Sequence, residues 1–427
     1  MHAAFVVADD LTGANDCAGR LAQAGLTARV MLSGLPPEGP WPQALLLNIQ
    51  SRGLAPQAAL AASRQAWLRL GAAQARLRYA KLDSTLRGNL AAEVEGMLAG
   101  TGAGEVAFVP AYPAQGRSIR KAELWVHGKR LDQSEYARDP LNPARCHRVD
   151  RLFPGLATAH VSLAAVKAGP AALKARLLSL RRAWPRPRVI TFDCASDRHL
   201  AIIAQATLRA GFTAWAGASG LLAALAREIK APGARAKALP ELPPRLLVLA
   251  GTLSATTRAM VERAEAGLGW GRGHLLPSDL LSQEPDPGLL KAAGLGLRRQ
   301  GAFMALSAAE RESVPAFIKL GRRQGLSGPE AARAAMQAMA RLGAGLAGIP
   351  HVALLTGGAT AEAYLAGRGI ASLEVLAELA PGLPLARGVD RRGRGQWLLS
   401  KPGGFGQEGL LMDLAKRLKT GGAAWRA

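Results

Sequence analysis

The sequence predicts an α/β protein of two domains, each a mostly parallel sheet flanked by helices. Three observations carry that expectation. Short apolar runs alternate with helix-length stretches along the chain, the mark of βαβ units. Several runs end abruptly in polar or glycine-rich loops just before a helix, the place where open α/β sheets hold ligands. At 427 residues, 49% of them hydrophobic, the chain is too long for one ordinary core and apolar enough to fill two.

The first run, Ala3 to Ala8, reads as a buried strand and stops at Asp9-Asp10-Leu11-Thr12-Gly13-Ala14-Asn15-Asp16, ahead of a helix suggested from Cys17 to Ala24. A turn at Asp9-Asp10 and a helix cap at Asn15 or Asp16 would use some of these groups. Three acids in eight residues exceed what a cap requires, so the stretch is read as a site. Ala28 to Leu32 and Ala44 to Ile49 follow as strands, separated by a Pro/Gly loop from Leu35 to Pro42, and Pro56 opens a helix to Leu70.

The pattern then repeats. A strand from Leu77 to Ala80 delivers Lys81-Leu82-Asp83-Ser84-Thr85-Leu86-Arg87-Gly88-Asn89 ahead of a helix from Leu90 to Leu98. Two cations, a carboxylate and two hydroxyls suit an anionic polyol, because arginine grips a carboxylate with paired bonds and aspartate accepts from hydroxyls. A Ser/Thr-capped surface loop is the plainer alternative. Val106 to Val109 is the next strand, leading into Pro110 to Arg117 and an irregular stretch through Leu141. Its length and its aromatics Trp125 and Tyr136 suggest a lid or interface arm. Strands at Val189 to Phe192 and Thr213 to Ala216 close this half, before a helix ending at Ile229.

Lys230 to Arg245, rich in proline and glycine and without periodicity, reads as a linker. The expected domains are therefore 1–229 and 246–427. The second half restarts with strand Leu246 to Ala250, the loop Gly251-Thr252-Leu253-Ser254-Ala255-Thr256-Thr257 and a helix from Arg258 to Ala266. Val352 to Leu355 feeds Thr356-Gly357-Gly358-Ala359-Thr360 and a helix from Ala361 to Leu365, and Trp397 to Ser400 feeds Lys401-Pro402-Gly403-Gly404-Phe405-Gly406. Small-residue loops at strand ends let backbone amides approach phosphate closely. Neither GxxxxGK[ST] nor GxGxxG occurs, so these are not the common phosphate-loop fingerprints.

The charge balance, 54 Lys plus Arg against 31 Asp plus Glu for a formal +23, favours anionic partners. The basic residues are spread along the chain without an aromatic-interleaved stripe, which argues against nucleic acid. Cys17, Cys146 and Cys194 are odd in number and far apart, implying a reducing compartment. With no basic leader and no run of about 18 apolar residues, a cytoplasmic protein without membrane attachment is expected. His127, His147, His160, His199, His274 and His351 lack metal-ligand spacing and are expected at surface or loop positions, with no metal site in the protein itself. The oligomeric state stays open, a homodimer being one option.

Taken together, Ala8 to Asp16, Lys81 to Asn89, Pro110 to Arg117, Ala137-Arg138-Asp139-Pro140-Leu141, Thr356 to Thr360 and Lys401 to Gly406 resemble the four-carbon acid sugar kinase family, in order and over the full length. The resemblance implies ATP-dependent phosphorylation of the terminal hydroxyl of threonate, erythronate or 3-oxo-tetronate. It also implies a sugar-binding amino-terminal domain, a nucleotide-binding carboxyl-terminal domain and a ligand cleft between them. By motif, Asp9, Thr12, Asn15, Asp16, Arg52, Ser84, Arg87 and Gly88 would contact the acid. Ser254, Gly357, Gly358, Ala359, Thr360, Gly403 and Gly404 would contact ATP. Asp10 or Asp83 would orient or deprotonate the attacking hydroxyl, Lys81 and Arg87 would hold the substrate carboxylate or the transferred phosphoryl group, and Mg2+ would bridge the ATP oxygens.

The chain departs from the family's pattern at polar positions. Asn48-Ile49-Gln50-Ser51-Arg52 stands where Asp-Thr-Asp-Ser-Arg is usual, Ala359 where an acid is usual, and Pro402 where alanine is usual. Two rival functions are a sugar-acid-binding protein without efficient phosphoryl transfer, and an aldolase-like or decarboxylating enzyme with Lys81 as its activated lysine.

Overall fold

Apolar runs buried on both faces form the strands, as parallel sheets covered by helices demand. The computed structural model describes residues 2–32, 34, 41–71, 75–138, 143–183, 188–229, 239–251, 254–306 and 313–419. Parts of several expected features lie outside the described residues: 35–40 of the Pro/Gly loop, 139–141 of the arm, 230–238 of the linker, Thr252 and Leu253, and the tail from Thr420 to Ala427. The chain divides into two compact units, Met1–Ala236 and Lys237–Ala427.

In unit 1 the elements run β1 (His2–Ala8), α1 (Leu11–Gln23), β2 (Ala28–Met31), β3 (Ala44–Asn48), α2 (Pro56–Leu70), β4 (Ala75–Lys81), α3 (Leu90–Thr101) and β5 (Glu105–Val109). Then come β6 (Arg117–Arg120), β7 (Glu123–Val126), β8 (Lys129–Arg130), β9 (Ala157–Val161), α4 (Leu163–Lys167), α5 (Pro170–Ala183), β10 (Arg188–Phe192), α6 (Asp197–Arg209), β11 (Ala214–Gly217) and α7 (Ser219–Glu228). The main strands lie in the order β2-β3-β1-β4-β11-β5-β10-β9, all parallel. Trp67, Trp215, Tyr79, Phe5 and Phe108 fill the core around them.

Unit 2 runs β12 (Leu246–Ala250), α8 (Ala255–Leu268), β13 (Gly271–His274), α9 (Pro277–Leu281), α10 (Pro287–Arg299), β14 (Ala302–Leu306), α11 (Ser313–Arg323) and α12 (Gly328–Gly345). It continues with β15 (Val352–Thr356), α13 (Gly358–Arg368), β16 (Ser372–Ala380), β17 (Leu383–Val389), β18 (Gly395–Lys401) and α14 (Leu410–Lys419). The order is β13-β14-β12-β15-β18-β17-β16, parallel through β18 and antiparallel across β17 and β16. Leu242, within the proline-rich stretch before β12, is buried in this unit's own core beside Leu246 and Val248.

Three local expectations are corrected. The first helix starts at Leu11 rather than Cys17, because Asp10 caps it by accepting from the Gly13 amide at 2.8 Å. The arm after Arg117 is not irregular: β6, β7 and β8 form a small antiparallel sheet. His351 is buried, its Nδ1 2.6 Å from Ile349 O and its pKa brought down to about 4 by burial, and His160 sits on β9 bonded to Thr191 and Asp193. Among the described residues no helix is long and apolar enough to cross a membrane.

Candidate functional site

Parallel register brings the polar loops of unit 1 to one edge. Ala8 pairs with Asn48 and with Lys81, and Lys81 pairs with Gly217, so whatever follows these residues gathers at the carboxyl ends of β3, β1, β4 and β11. The helix after β1 packs on α7, whereas the helix after β3 packs on α3. Loops that part in this way open a crevice at the strand ends.

Arg52 lies at this edge and joins three carboxylates. Its Nε donates to Asp9 Oδ2 at 2.8 Å, its Nη1 lies 2.9 Å from Asp10 Oδ2, and its Nη2 lies 3.9 Å from Asp83 Oδ1. Gly88, at φ +87°, packs beneath it: a Cβ there would lie 2.9 Å from Arg52 Cγ. Asn89 Nδ2 donates to Ser51 O and Leu54 O, both at 2.9 Å, tying the Arg52 loop to the start of α3. Gln50 and Leu86, one on each loop, hold left-handed backbone at φ 51° and 57°, a strain that persists only where surroundings enforce it.

Of the carboxylates around Arg52, Asp83 accepts the most hydrogen bonds. Arg87 Nε donates to its Oδ2 at 2.7 Å, Arg87 Nη2 to its Oδ1 at 3.3 Å, and the Thr85 hydroxyl to its Oδ2 at 2.5 Å. Burial would raise this carboxyl, but Arg87 and Arg52 hold it well below the usual range. Asp10 behaves alike: burial opposes ionisation, and Arg52, Lys81, the Thr12 hydroxyl at 2.5 Å and the Gly13 amide outweigh it. Asp9 is raised instead, because burial, with the Asp10 charge adding to it, outweighs Arg52 and Lys81; its Oδ1 has no hydrogen-bond partner among the described residues.

Lys81 is buried with its Nζ 3.1 Å from Leu82 O. Burial would lower it, yet Asp9 and Asp10 hold it above its ordinary value, so it stays charged. Ser84, half-buried, offers a hydroxyl without a hydrogen bond among the described residues. Asn15 and Asp16 lie buried along α1. Asp16 accepts from the Ser219 hydroxyl at 2.5 Å and lies 3.8 Å from Arg20, so it ties α1 to α7 rather than joining the Arg52 cluster.

Reading the sequence missed one participant, Glu93, and placed another, Tyr136, only in a lid or interface arm without its partners. Glu93 of α3 is buried behind the Arg52 loop, where its Oε1 accepts from the Ser51 hydroxyl at 2.8 Å; burial, with Asp9 adding to it, lifts its carboxyl well above the usual range. Tyr136 of the arm covers Arg87, whose guanidinium carbon lies 5.2 Å from the ring centroid, with Arg117 also 5.7 Å away. An acid at the fourth position of a helix carries no local signal of such a partner, and an aromatic in the arm does not announce which cations it covers.

In unit 2, Ala250 pairs with Thr356 and Thr356 with Lys401, so the loops after β12, β15 and β18 share one edge. Ser254 precedes α8, and Gly357, at φ +98°, precedes α13. Gly358 and Ala359 open α13, with Ala359 exposed, while Thr360 turns inward and its hydroxyl meets Met336 Sδ at 3.0 Å. A side chain at Gly251 would collide with that Thr360 hydroxyl. Gly403 is half-buried and Gly404 exposed. Within each unit, then, most of the expected residues lie at strand ends or the helix starts that follow them, apart from Asn15 and Asp16, buried along α1, and the inward-turned Thr360.

The family model for a sugar-binding N-terminal domain matches residues 4–225, and that for a nucleotide-binding C-terminal domain matches residues 247–411. The chain is 32% identical to a D-threonate kinase of Cupriavidus necator, over 95% of this chain and 96% of that one. It is 31% identical to a 3-oxo-tetronate kinase of Methylobacterium radiotolerans, over 94% and 95%. A Salmonella typhimurium protein of solved structure shares the fold at a TM-score of 0.80 and 24% identity, over 97% of this chain and 99% of that one. Matched in both halves by the family's two domains, and at about a third identity by its named kinases, the chain belongs to the four-carbon acid sugar kinase family.

Proposed function

We propose that the protein transfers the γ-phosphoryl group of ATP to the terminal hydroxyl of a four-carbon sugar acid of the threonate, erythronate or 3-oxo-tetronate type. The observation that carries this reading is the cluster of Asp10, Arg52, Lys81, Asp83 and Arg87 at the strand ends of unit 1. D-Threonate is the first acid to try, given the kinase relative so named.

Phosphoryl transfer through a loose transition state asks for positioning and charge neutralisation more than for a strong base. Asp10 and Asp83 are both held ionised, so each accepts hydrogen bonds at neutral pH. Among the described residues Asp10 Oδ1 accepts only the Gly13 amide, which leaves a lone pair to orient the attacking hydroxyl. Asp83, gripped through both oxygens by Arg87, instead fixes that guanidinium toward the substrate carboxylate. Lys81, the buried cation beside Asp10, neutralises charge on the transferred group. The donors at unit 2's strand ends are backbone amides and hydroxyls, which fit phosphate oxygens. Magnesium would be carried by those oxygens and by water, supplying charge neutralisation.

The assignment separates the two carboxylates. Asp10→Asn is expected to lower kcat by about a thousandfold with little change in KM for the acid, whereas Asp83→Asn should raise that KM about tenfold. Steady-state kinetics on both variants checks it, and the reverse pattern would exchange their roles.

A further inference from the structure

Lys401, the last residue of β18, is 2% exposed, and its ammonium meets no carboxylate among the described residues. Its partners are neutral oxygens: Phe405 O at 2.8 Å, Thr257 Oγ1 and Pro402 O at 3.0 Å each, and Gly403 O at 3.3 Å. The Thr257 hydroxyl in turn donates to Gly403 O at 2.8 Å. A buried charge is tolerated only when its hydrogen-bonding capacity is met. Here that capacity is met by the loop that follows the lysine itself.

The consequence lies on the other side of the same peptides. In a trans peptide the N–H points opposite to the C=O. Turning the carbonyls of Pro402, Gly403 and Phe405 onto one ammonium therefore turns the amides of Gly403, Gly404 and Gly406 away from it. None of these three amides donates to an acceptor among the described residues. Gly404 and Gly406 are exposed and Gly403 is half-buried, so all three can be reached. Gly406 holds φ +99°, a backbone conformation in which a side chain would be strained. Carbonyls that converge on a point leave amides that fan outward, which suits successive oxygens of a phosphate chain better than one phosphate group.

We propose that Lys401 is a positioning residue for nucleotide binding: it holds the 402–406 loop with its amides outward as a polyphosphate-binding edge, without touching the nucleotide itself. The inference rests on the reading of unit 2 as the ATP-binding unit.

Titration calorimetry of the full-length protein with MgATP, MgADP and AMP, together with steady-state kinetics, tests it. Lys401→Met is expected to weaken MgATP binding about tenfold and AMP binding less than about threefold, with KM for the sugar acid unchanged and kcat within about fivefold. Thr257→Val keeps the lysine but removes the hydroxyl that accepts from it and donates to Gly403 O, and should shift MgATP affinity in the same direction by about threefold. Should Lys401→Met melt far below the parent protein, the Thr257 variant decides. Unchanged MgATP affinity in the variants, or an equal loss for ATP and AMP, overturns the proposal, as does a collapse of kcat at saturating ATP, which would put the lysine on the reacting phosphoryl group. If the parent protein binds none of the three nucleotides, the ATP reading of unit 2 fails and takes this proposal with it.

Discussion

Gly13 shows how closely the site is packed around its lysine. A Cβ at this position would lie 2.6 Å from both Asp10 Oδ1 and Lys81 Nζ. In an ordinary helix alanine would be preferred over glycine by up to about 1 kcal/mol. Gly13→Ala is therefore expected to leave the melting temperature near that of the parent while displacing Lys81, and a displacement of this size costs about a hundredfold in kcat/KM. Full activity in that variant would remove Lys81 from the chemistry. Glu93 carries a second test, in stability. Burial and Asp9 raise its carboxyl well above the unfolded value, so the folded chain keeps a proton that the unfolded chain releases. Its contribution is complete below about pH 4.3 and declines as pH rises toward the folded value. Glu93→Gln has no such decline. Its stability relative to the parent should grow between pH 5 and 8, by at most about 1.4 kcal/mol per pH unit, as urea unfolding at the two values would show; a constant difference contradicts the buried, protonated carboxyl. Neither feature is local in sequence. Arg52 meets Asp9 across 43 positions, and no spacing rule reports that contact; only the resemblance pointed to Arg52.

Among the elements, the strand ends were legible because buried parallel strands are unbroken apolar runs and stop where polar residues begin. The boundary of α1 was not. Its first turns hold Thr12, Gly13, Ala14 and Asn15, residues that read as loop until Asp10 is seen as their cap. The sheet of β6, β7 and β8 was hidden for a related reason. Its turns at Lys121-Ala122 and His127-Gly128 all have positive φ, as two-residue hairpins require, yet Asn-Gly or Asp-Gly, which usually advertise such turns, are absent. This element leads into Tyr136, which covers Arg87 and accepts from Arg117 Nη2 at 3.0 Å. Cation–π contacts of this kind contribute about 1 kcal/mol. Tyr136→Ala is thus expected to raise KM for the acid about fivefold with kcat little changed, and Tyr136→Phe, which keeps the ring, should stay near the parent. Equal behaviour of the two variants would deny the ring its part in holding Arg87.

At the scale of the whole molecule, each unit repeats one plan: apolar parallel strands in register, with their carboxyl ends opening into the residues that matter. Unit 1 presents charged side chains there, and unit 2 presents glycines and hydroxyls. That contrast was readable from composition at the loops, because an anionic polyol needs cations and acceptors while a phosphate chain can be met by backbone amides. The formal +23 did not by itself locate either cluster, since Arg52, Lys81 and Arg87 are three cations among 54 and are set apart by the buried carboxylates around them. The most direct test is an ADP-release assay with MgATP across D- and L-threonate, D- and L-erythronate and their 3-oxo relatives. Acid-dependent ADP release with at least one of them, lost about a thousandfold in Lys81→Met, is the expected result. Absence of release with every acid, by protein that is folded and binds the acid, would contradict phosphoryl transfer and leave a sugar-acid-binding protein in its place.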